Sequence, residues 1–240
     1  MNTNSNTYTL IFATVMVLIV ALVLAIVSGS LKEKQTANVE LDKKKQILNS
    51  LNIDTNEKDV NAIYAEYIKE EIVIDAAGKQ IENPNESAFK VIIKKELAKK
   101  LEDRSLPLFI ANVDGKTKYI IPLFGAGLWG PVWGYVALDD DKNTVYGTYF
   151  SHASETPGLG AEIVYPQFQQ QFIGKKIMND QSEFVSIAIL KPGQHTDLKD
   201  QVDGISGGTI TSKGVEDMLL NCIGQYDKFL QISTNGGTKE

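Results

Sequence analysis

Residues 203–230 read DGISGGTITSKGVEDMLLNCIGQYDKFL, a run of small and hydroxyl residues followed by a strongly periodic apolar pattern. The apolar positions recur three and four residues apart: Val215, Met218, Leu219, Cys222, Ile223, Tyr226, Phe229 and Leu230. That spacing predicts an amphipathic helix with one buried face. Ser212 is the predicted N-cap, which puts Glu216 and Asp217 in the first turn, where the helix dipole favours acidic side chains.

The chain ahead of this helix predicts antiparallel strands joined by tight turns. Asp114-Gly115 is typical of a hairpin, and an Asp- and Asn-rich turn at residues 139–143 would join the next pair. The predicted strands are residues 108–113, 118–123, 133–138, 145–151 and 185–190. Pro166 suits the first turn of a short helix that runs through Phe172. These elements predict an α+β fold, mixed α/β in content, with antiparallel hairpins.

Helices are also predicted nearer the N-terminus. Residues 39–51 place apolar side chains among lysines, and residues 60–72 repeat apolar side chains at helical spacing. Residues 89–101 are ambiguous between strand and helix. We interpret the first two stretches as a stalk and a packing helix.

The first thirty residues predict a membrane anchor. Residues 10–27, LIFATVMVLIVALVLAIV, have Thr14 as their only polar side chain, and their length approaches the roughly 20 residues needed to span a bilayer. A buried core helix normally has a polar stripe, and a cleaved signal peptide has an apolar core of about 7–15 residues after a basic segment. Residues 1–7 contain no Lys or Arg. We therefore expect an uncleaved anchor at residues 8–29, a helical stalk at 30–56, one domain at 57–232 and a flexible tail at 233–240.

Composition excludes several classes of function. The 240-residue chain has 24 Lys and Arg against 30 Asp and Glu, a net charge of -6, so no nucleic-acid partner is expected. The single cysteine, Cys222, excludes a disulfide framework and cysteine-based metal sites within the chain. The two histidines, His152 and His195, cannot form a metal site unaided. We expect neither a metal site nor a catalytic acid–base pair.

Three glycine-rich segments are candidate ligand-binding loops. Residues 203–212 lie directly ahead of the last helix, where unpaired N–H groups favour an anion, although the segment lacks the lysine of a P-loop. A turn followed by a helix cap would also account for its composition. Residues 155–162, ETPGLGAE, predict a rigid connection, or simply a loop. Residues 125–134, GAGLWGPVWG, place two tryptophans either against a ligand ring or in the core.

Four strings in this part of the chain resemble one known family. They are GLWGPVWGYVALD, FSHASETPGLGAEI, FQQQFIGKKI and VDGISGGTITSKGVEDML. As a set they resemble the C-subunit family of the bacterial sodium-translocating NADH:quinone reductases. The resemblance is close from residue 125 to about residue 220, and the single anchor fits it as well, whereas residues 30–105 agree only in general character.

The resemblance implies a covalently held FMN. In the family motif, the threonine after Ser-Gly-x is esterified to the flavin phosphate, and that threonine is Thr209 here. A separate flavin transferase installs the group from FAD by way of a pattern represented here by Asp203, Ser206, Gly207 and Thr209. Gly208 stands where the family usually has alanine. A covalent bond would also explain an anion site whose motif has no basic residue.

The remaining binding residues expected from this resemblance fall into three groups. The phosphate would lie against the backbone of residues 206–211. The residues expected there are Ser206, Gly207, Gly208 and Thr211. Thr156, Leu159 and Gly160 would line the isoalloxazine, with Glu155 fixing their loop. Trp129 and Lys191 are candidates for contact with the ring or its N1–O2 edge.

The function implied is electron relay within a six-subunit sodium pump of the bacterial inner membrane. The flavin would pass electrons between an iron centre and the flavin of a membrane subunit, and one apolar helix without ionisable residues would conduct no ion. The expected partners are the other subunits, the flavin transferase and membrane lipid. The flavin domain of the family faces the periplasm, although the lysines after the anchor favour a cytoplasmic domain. Two alternatives are the G subunit of the related ferredoxin-oxidising electron-transport complex and a membrane-anchored scaffold or binding module without a redox group.

Overall fold

An antiparallel sheet of five strands in chain order organises the domain. A computed structural model describes residues 5–56, 59–82 and 84–232, so the predicted tail at 233–240 lies outside the described residues. The strands of the sheet are β1 Ile68–Ile74, β2 Leu106–Val113, β3 Lys116–Ala126, β4 Pro131–Leu138 and β5 Val145–His152. Two short parallel strands form a second sheet: β6 Ala188–Leu190 and β7 Gln201–Asp203. The predicted class of fold is confirmed.

Six α-helices and four 3-10 turns accompany the strands in the described ranges. The helices are α1 Asn6–Ser50, α2 Val60–Tyr67, α3 Ile93–Leu97, α4 Pro166–Gln169, α5 Thr209–Ile223 and α6 Asp227–Gln231. The 3-10 turns are Leu101–Asp103, Gly160–Val164, Gln170–Phe172 and Gly224–Tyr226. The ambiguous stretch at 89–101 thus contains a short helix and the start of a turn, and no strand.

The helix α1 contains the apolar run and continues beyond it. Its most apolar 18-residue window has a mean hydropathy of 3.3, and none of that window is buried, so the helix is long and apolar enough to cross a membrane. The division between the two compact units of the chain falls within α1, between Lys43 and Lys44. Because α1 ends at Ser50, the last six residues of the predicted stalk are not helical.

The predicted hairpins are present. Asp114 and Gly115 have φ of 51° and 78°, the left-handed pair that a two-residue turn between right-twisted strands requires. They join β2 and β3, which pair from Val113↔Lys116 to Phe109↔Ile120. The strands β4 and β5 pair in the same way across the Asp-rich turn. The short helix beginning at Pro166 also forms as predicted, and it is followed by Gly174 with a φ of 79°.

Two sequence predictions of secondary structure are wrong in part, and one strand is not predicted. The helix predicted for residues 60–72 ends at Tyr67, because Ile68–Ile74 pairs with β2 and tertiary pairing outweighs the local helical spacing. The strand predicted at 185–190 shortens to Ala188–Leu190. Its partner β7 is missing from the sequence predictions, because three residues carry too little periodicity to be recognised.

The last helix begins earlier than its apolar pattern indicates. The helix α5 starts at Thr209 with Gly208 as its N-cap, so the prediction of Ser212 as N-cap is wrong. Glu216 consequently lies two turns into the helix, outside the first turn. The Ser212 hydroxyl instead accepts a hydrogen bond from the N–H of Ile205 at 2.9 Å, within the preceding loop.

The helix α5 packs on one face of the sheet and thereby sets the position of the loop ahead of it. Val215, Met218 and Leu219 are buried in the same cluster as Leu123 and Val132 of β3 and β4. Two glycines permit this approach. A Cβ on Gly125 would collide with the Met218 side chain, and one on Gly214 would collide with the Ala126 carbonyl. The N-terminus of α5 is therefore held at the end of β3.

Candidate flavin site

The candidate acceptor threonine is the first residue of α5. Because the helix starts at Thr209, the N–H groups of its first three residues have no acceptor within the helix. Thr209 is exposed, whereas its neighbour Gly208 is buried. The loop ahead of it turns tightly, with Gly207 at a φ of 74° and the Gly208 N–H donating to the Ile205 carbonyl at 3.0 Å. The hydroxyl-bearing residue is thus accessible on an ordered turn.

Glu155 joins this helix start to two other loops. It is 5% exposed, and its carboxylate accepts a hydrogen bond from the Thr211 hydroxyl at 2.6 Å and one from the Trp129 N–H at 2.8 Å. Burial alone would raise the pKa of the Glu155 carboxyl, but the bonds from Thr211, Trp129 and Gly130 outweigh it and hold that pKa below its usual value. The carboxylate therefore stays ionised and fixes three segments together.

Two glycines lie against the Glu155 carboxylate, at positions where a Cβ would not fit. A Cβ on Gly160 would collide with the Thr211 hydroxyl and with Oε2 of Glu155, and a Cβ on Gly127 would collide with Oε1. Gly160 is itself buried. One glycine of the ETPGLG segment, Gly160, and one of the GLWG segment, Gly127, are thus required by close approach to the same carboxylate.

Two hollows border Thr209. The first, which we call the Glu155 hollow, has a volume of about 230 Å³. It is lined by Leu128, Trp129, Glu155, Thr156, Leu159, Gly160, Gly207, Gly208, Thr209, Ile210 and Thr211. Its apolar rim is open to solvent: Trp129 is 67% exposed and Ile210 is 58% exposed. This wall is suited to a flat apolar ring.

The second hollow, which we call the Lys191 hollow, lies beside the end of β6 and has a volume of about 360 Å³. It is lined by Ile189, Leu190, Lys191, Pro192, Gln194, Gly204, Ile205, Ser206, Gly207, Thr209, Ser212 and Lys213. Lys213 forms ion pairs with Glu216 and Asp217, each at 3.2 Å. Among the described residues Lys191 has no ion pair, so its charge is available to a ligand.

The structure distributes the predicted site residues between the two hollows. Glu155, Thr156, Leu159, Gly160 and Trp129 line the Glu155 hollow together with Gly208 and Thr211. Lys191 and Ser206 line the Lys191 hollow, and Gly207 and Thr209 line both. Trp129 lies at a rim, whereas Trp133 is half-buried and its indole N–H donates to Gln46 at 3.3 Å. The binding roles assigned from the sequence remain predictions.

Sequence reasoning missed several residues that line the hollows, and three of them set the polarity of the walls. Leu128 and Ile210 form part of the apolar wall, and Lys213 adds a cation to the Lys191 hollow. Lys213 follows Thr209 by four residues, so the pair shares one helix face once the helix start is known. No pattern in the sequence marks Leu128 or Ile210. Residues 203–212 contain no lysine or arginine, but Lys191 and Lys213 bring two cations to the Lys191 hollow.

Comparison with known proteins identifies the family of this chain. The FMN-binding domain family matches residues 127–224, which include Thr209 and both hollows. The C subunit of the Na(+)-translocating NADH-quinone reductase of Vibrio parahaemolyticus is 31% identical, over 92% of this chain and 92% of the relative. The same subunit from Haemophilus ducreyi is 35% identical, over 90% of this chain and 88% of that one. This chain belongs to the C-subunit family.

A solved structure agrees with this assignment to the C-subunit family. The crystal structure of the C subunit of Na(+)-translocating NADH-quinone reductase from Parabacteroides distasonis is 47% identical and superposes with a TM-score of 0.79. The match covers 85% of this chain and 98% of that chain. The chain is therefore a subunit of an oxidoreductase complex, with an FMN-binding domain and one apolar N-terminal helix that fits a single-pass membrane anchor.

Proposed function

We propose that this protein relays electrons through an FMN whose phosphate is esterified to Thr209. The observation that carries the proposal is the position of Thr209, exposed at the first turn of α5 and bordering both hollows. A phosphate ester at this hydroxyl would lie against the free N–H groups of the helix start, where backbone donors and the helix dipole favour negative charge. The ring would then reach one of the two adjoining hollows.

The shape of the loop fits such a group. A Cβ on Gly207 would collide with the Leu159 side chain at 2.6 Å, and one on Gly208 would approach the Gly160 N–H nitrogen to 3.2 Å. Both glycines are thus required by close packing of this loop, and they leave its backbone without side chains beside Thr209. The family's more usual alanine at position 208 would need Ile205 to move, since the added Cβ lies 2.9 Å from its side chain.

The protein's own residues would position the ring and control its surroundings. When bound, FMN supplies one-electron chemistry, and the protein tunes it through position and charge. Leu159, Ile210 and Trp129 would cover apolar ring surface and exclude water from the Glu155 hollow. Glu155 would keep the three loops at fixed separation, and Lys191 would place a positive charge beside the phosphate or the ring edge.

The proposed attachment reaction is a phosphoryl transfer, in which no group is oxidised or reduced. The Thr209 Oγ would form a bond to the flavin-side phosphorus of FAD, and the bond from that phosphorus to the bridging pyrophosphate oxygen would break. AMP would leave and the hydroxyl proton would pass to solvent or to the transferase. A flavin transferase is therefore the partner required during maturation, in addition to the other subunits and membrane lipid.

We further propose that the domain faces the periplasm, where the family's transferase acts. The lysines at residues 32–45 argue for the opposite side, but large translocated domains often cross regardless of flanking charge. A reporter enzyme active only in the periplasm, fused after residue 240, would be active with this orientation. A silent reporter, with a cytoplasmic reporter active in its place, would reverse the assignment.

Intact mass of the full-length chain tests the attachment. The chain would be co-expressed with a flavin transferase, beside Thr209→Ala and Thr209→Ser. We expect the wild type to gain one esterified FMN, visible as flavin fluorescence after denaturation, and Thr209→Ala to gain none. Thr209→Ser retains a hydroxyl in the same place and should be labelled, although more slowly.

Two outcomes would count against the proposal. Labelling of Thr209→Ala would place the flavin on another residue. An unlabelled wild type beside an active transferase, shown by labelling of a second acceptor protein in the same cells, would favour the colourless scaffold alternative.

A further inference from the structure

The side chain of Gln171 forms two hydrogen bonds to the backbone of Asp203, at the end of β7. The Asp203 N–H donates to Gln171 Oε1 at 2.9 Å, and Gln171 Nε2 donates to the Asp203 carbonyl at 3.3 Å. A side-chain amide thus pairs with one residue as a neighbouring strand would. Gln171 lies in the turn after α4, 32 residues away in sequence.

The next residues are fixed from the other directions. The Gly204 N–H donates to the Leu190 carbonyl of β6 at 2.7 Å, so it points away from Gln171. The Ile205 N–H donates to the Ser212 hydroxyl at 2.9 Å. Three consecutive N–H groups ahead of Thr209 are therefore bound by three separate elements of the fold. A flexible substrate loop would need none of these bonds.

Gln171 binds Asp203, the first of these three residues. Without it, the only other backbone contact that holds Asp203 among the described residues is the three-residue pairing of β7 with β6. Residues 203–209 lead directly into Thr209, so movement at Asp203 changes the direction in which the acceptor hydroxyl is presented. Orientation of reacting groups contributes strongly to the rates of group transfer.

We propose that Gln171 is a positioning residue for flavin attachment, acting through the backbone of Asp203 to present Thr209 as a preformed, folded acceptor. The inference rests on the proposed esterification of Thr209 described above. It implies that the transferase recognises the ordered turn of residues 203–209, so that order in this turn is part of the substrate.

The test measures the steady-state kinetics of flavin incorporation into the purified full-length chain in detergent, with FAD and a flavin transferase. Gln171→Met keeps the length and volume of the side chain and removes both bonds to Asp203. Gln171→Glu keeps an oxygen that accepts the Asp203 N–H and removes only the donor. Gln170→Met makes the same chemical change at an exposed neighbour that lines a different groove, beside Asn49 and Thr148.

We expect kcat/KM for labelling to fall about tenfold in Gln171→Met, the size expected for losing two solvent-accessible hydrogen bonds. Gln171→Glu should fall at least as far, because its second carboxylate oxygen would face the Asp203 carbonyl oxygen in place of the donating Nε2. Gln170→Met should match the wild type. Amide hydrogen exchange should quicken at residues 203–205 of Gln171→Met, while protection of β2 to β5 is unchanged.

Each other outcome overturns the proposal. A kcat/KM for Gln171→Met within about twofold of the wild type would show that the two bonds do not affect presentation. An equal loss in Gln170→Met, or lost protection throughout the sheet, would show a general effect on folding. If the wild type is labelled normally in these cases, the esterification of Thr209 stands and only the role of Gln171 is rejected. If the wild type is not labelled at all, both proposals fall.

Discussion

The two hollows that meet at Thr209 are built from groups of opposite accessibility. The Glu155 hollow depends on a carboxylate that is 5% exposed and bonded to the Thr211 hydroxyl and the Trp129 N–H. The Lys191 hollow has exposed lysine side chains at its edge, and the Lys213 side chain is 61% exposed. Buried hydrogen bonds that stabilise the fold therefore lie on one side of Thr209, and exposed lysine charges lie on the other.

This difference separates two kinds of mutational effect. A buried polar group that loses its partner destabilises the fold by its full desolvation penalty, whereas an exposed group exchanges its contacts for water. Changes around Glu155 should therefore lower the free energy of unfolding even when no flavin is attached. Changes at the lysines should leave that free energy nearly constant and act on the bound ligand.

The largest effect on stability is expected for Glu155→Ala. The substitution leaves the buried Thr211 hydroxyl and the partly buried N–H of Trp129 without their acceptor. We expect the free energy of unfolding of the unlabelled chain to fall by about 3 kcal/mol, measured by urea denaturation. The loss should appear without any transferase, since it concerns the fold alone.

Glu162→Ala is the matched control for that variant. Glu162 lies on the same loop, and it accepts the Gly158 N–H at 3.0 Å in an exposed position. Its removal should change the free energy of unfolding by no more than about 0.5 kcal/mol. If the two variants are equally destabilised, burial of the Glu155 carboxylate is not what distinguishes the two hollows.

The threonine on the other side of that bond should give a smaller, pH-dependent effect. Thr211→Val keeps the shape of the side chain but removes the hydroxyl that donates to Glu155 Oε2. We expect a loss of about 2 kcal/mol at neutral pH, as is usual for a hydrogen bond to a charged group. Urea denaturation of the unlabelled chain at several pH values would measure it.

The direction of the pH dependence follows from the pKa of Glu155. Because that pKa is lowered in the folded chain, its contribution to stability is complete above its usual value of 4.5 and is lost as the pH falls through the folded value. Thr211→Val weakens the lowering, so the wild type should lose more stability than the variant on acidification. Thr209→Val, the same change at an exposed position, should follow the wild type at every pH. If Thr211→Val loses as much stability as the wild type on acidification, this account of Glu155 is wrong.

The segments that form the site can be identified from the sequence, but the contacts between them cannot. The ETPGLG, GLWG and SGGT segments are each candidates as loops, and their union rests on the hydrogen bonds of Glu155 to Thr211 and Trp129, which are 56 and 26 residues away. Such separations leave no local pattern. Gly160 shows the same limit, because a side chain at this position would collide with the Glu155 carboxylate, and no turn requires the glycine.

The start of the last helix shows why the sequence misplaces part of the site geometry. The apolar spacing begins at Val215 and a serine precedes it, so the sequence predicts Ser212 as the cap. In the structure, α5 begins one turn earlier and the serine hydroxyl holds the preceding loop. The first turn, residues 209–212, has Ile210 as its only apolar side chain, and Ile210 is exposed at the Glu155 hollow and not packed in the core. This turn therefore has no apolar period that would mark it as helical in the sequence.

The Lys191 hollow should give the smallest effect on folding and a distinct effect on the flavin. Lys191→Gln should change the free energy of unfolding by less than about 0.5 kcal/mol, because an exposed side chain is replaced by another. With flavin attached, loss of a positive charge beside the ring or phosphate should lower the midpoint potential, since a cation favours the more electron-rich form. Lys213→Gln is the matched control, because the charge of Lys213 is already paired with Glu216 and Asp217. Redox titration of the labelled chain should show a larger downward shift for Lys191→Gln than for Lys213→Gln.

Equal shifts would mean that the two lysines act only as general surface charge. An unchanged potential in Lys191→Gln would indicate that the ring lies entirely in the Glu155 hollow. The Lys191 hollow would then contain only solvent.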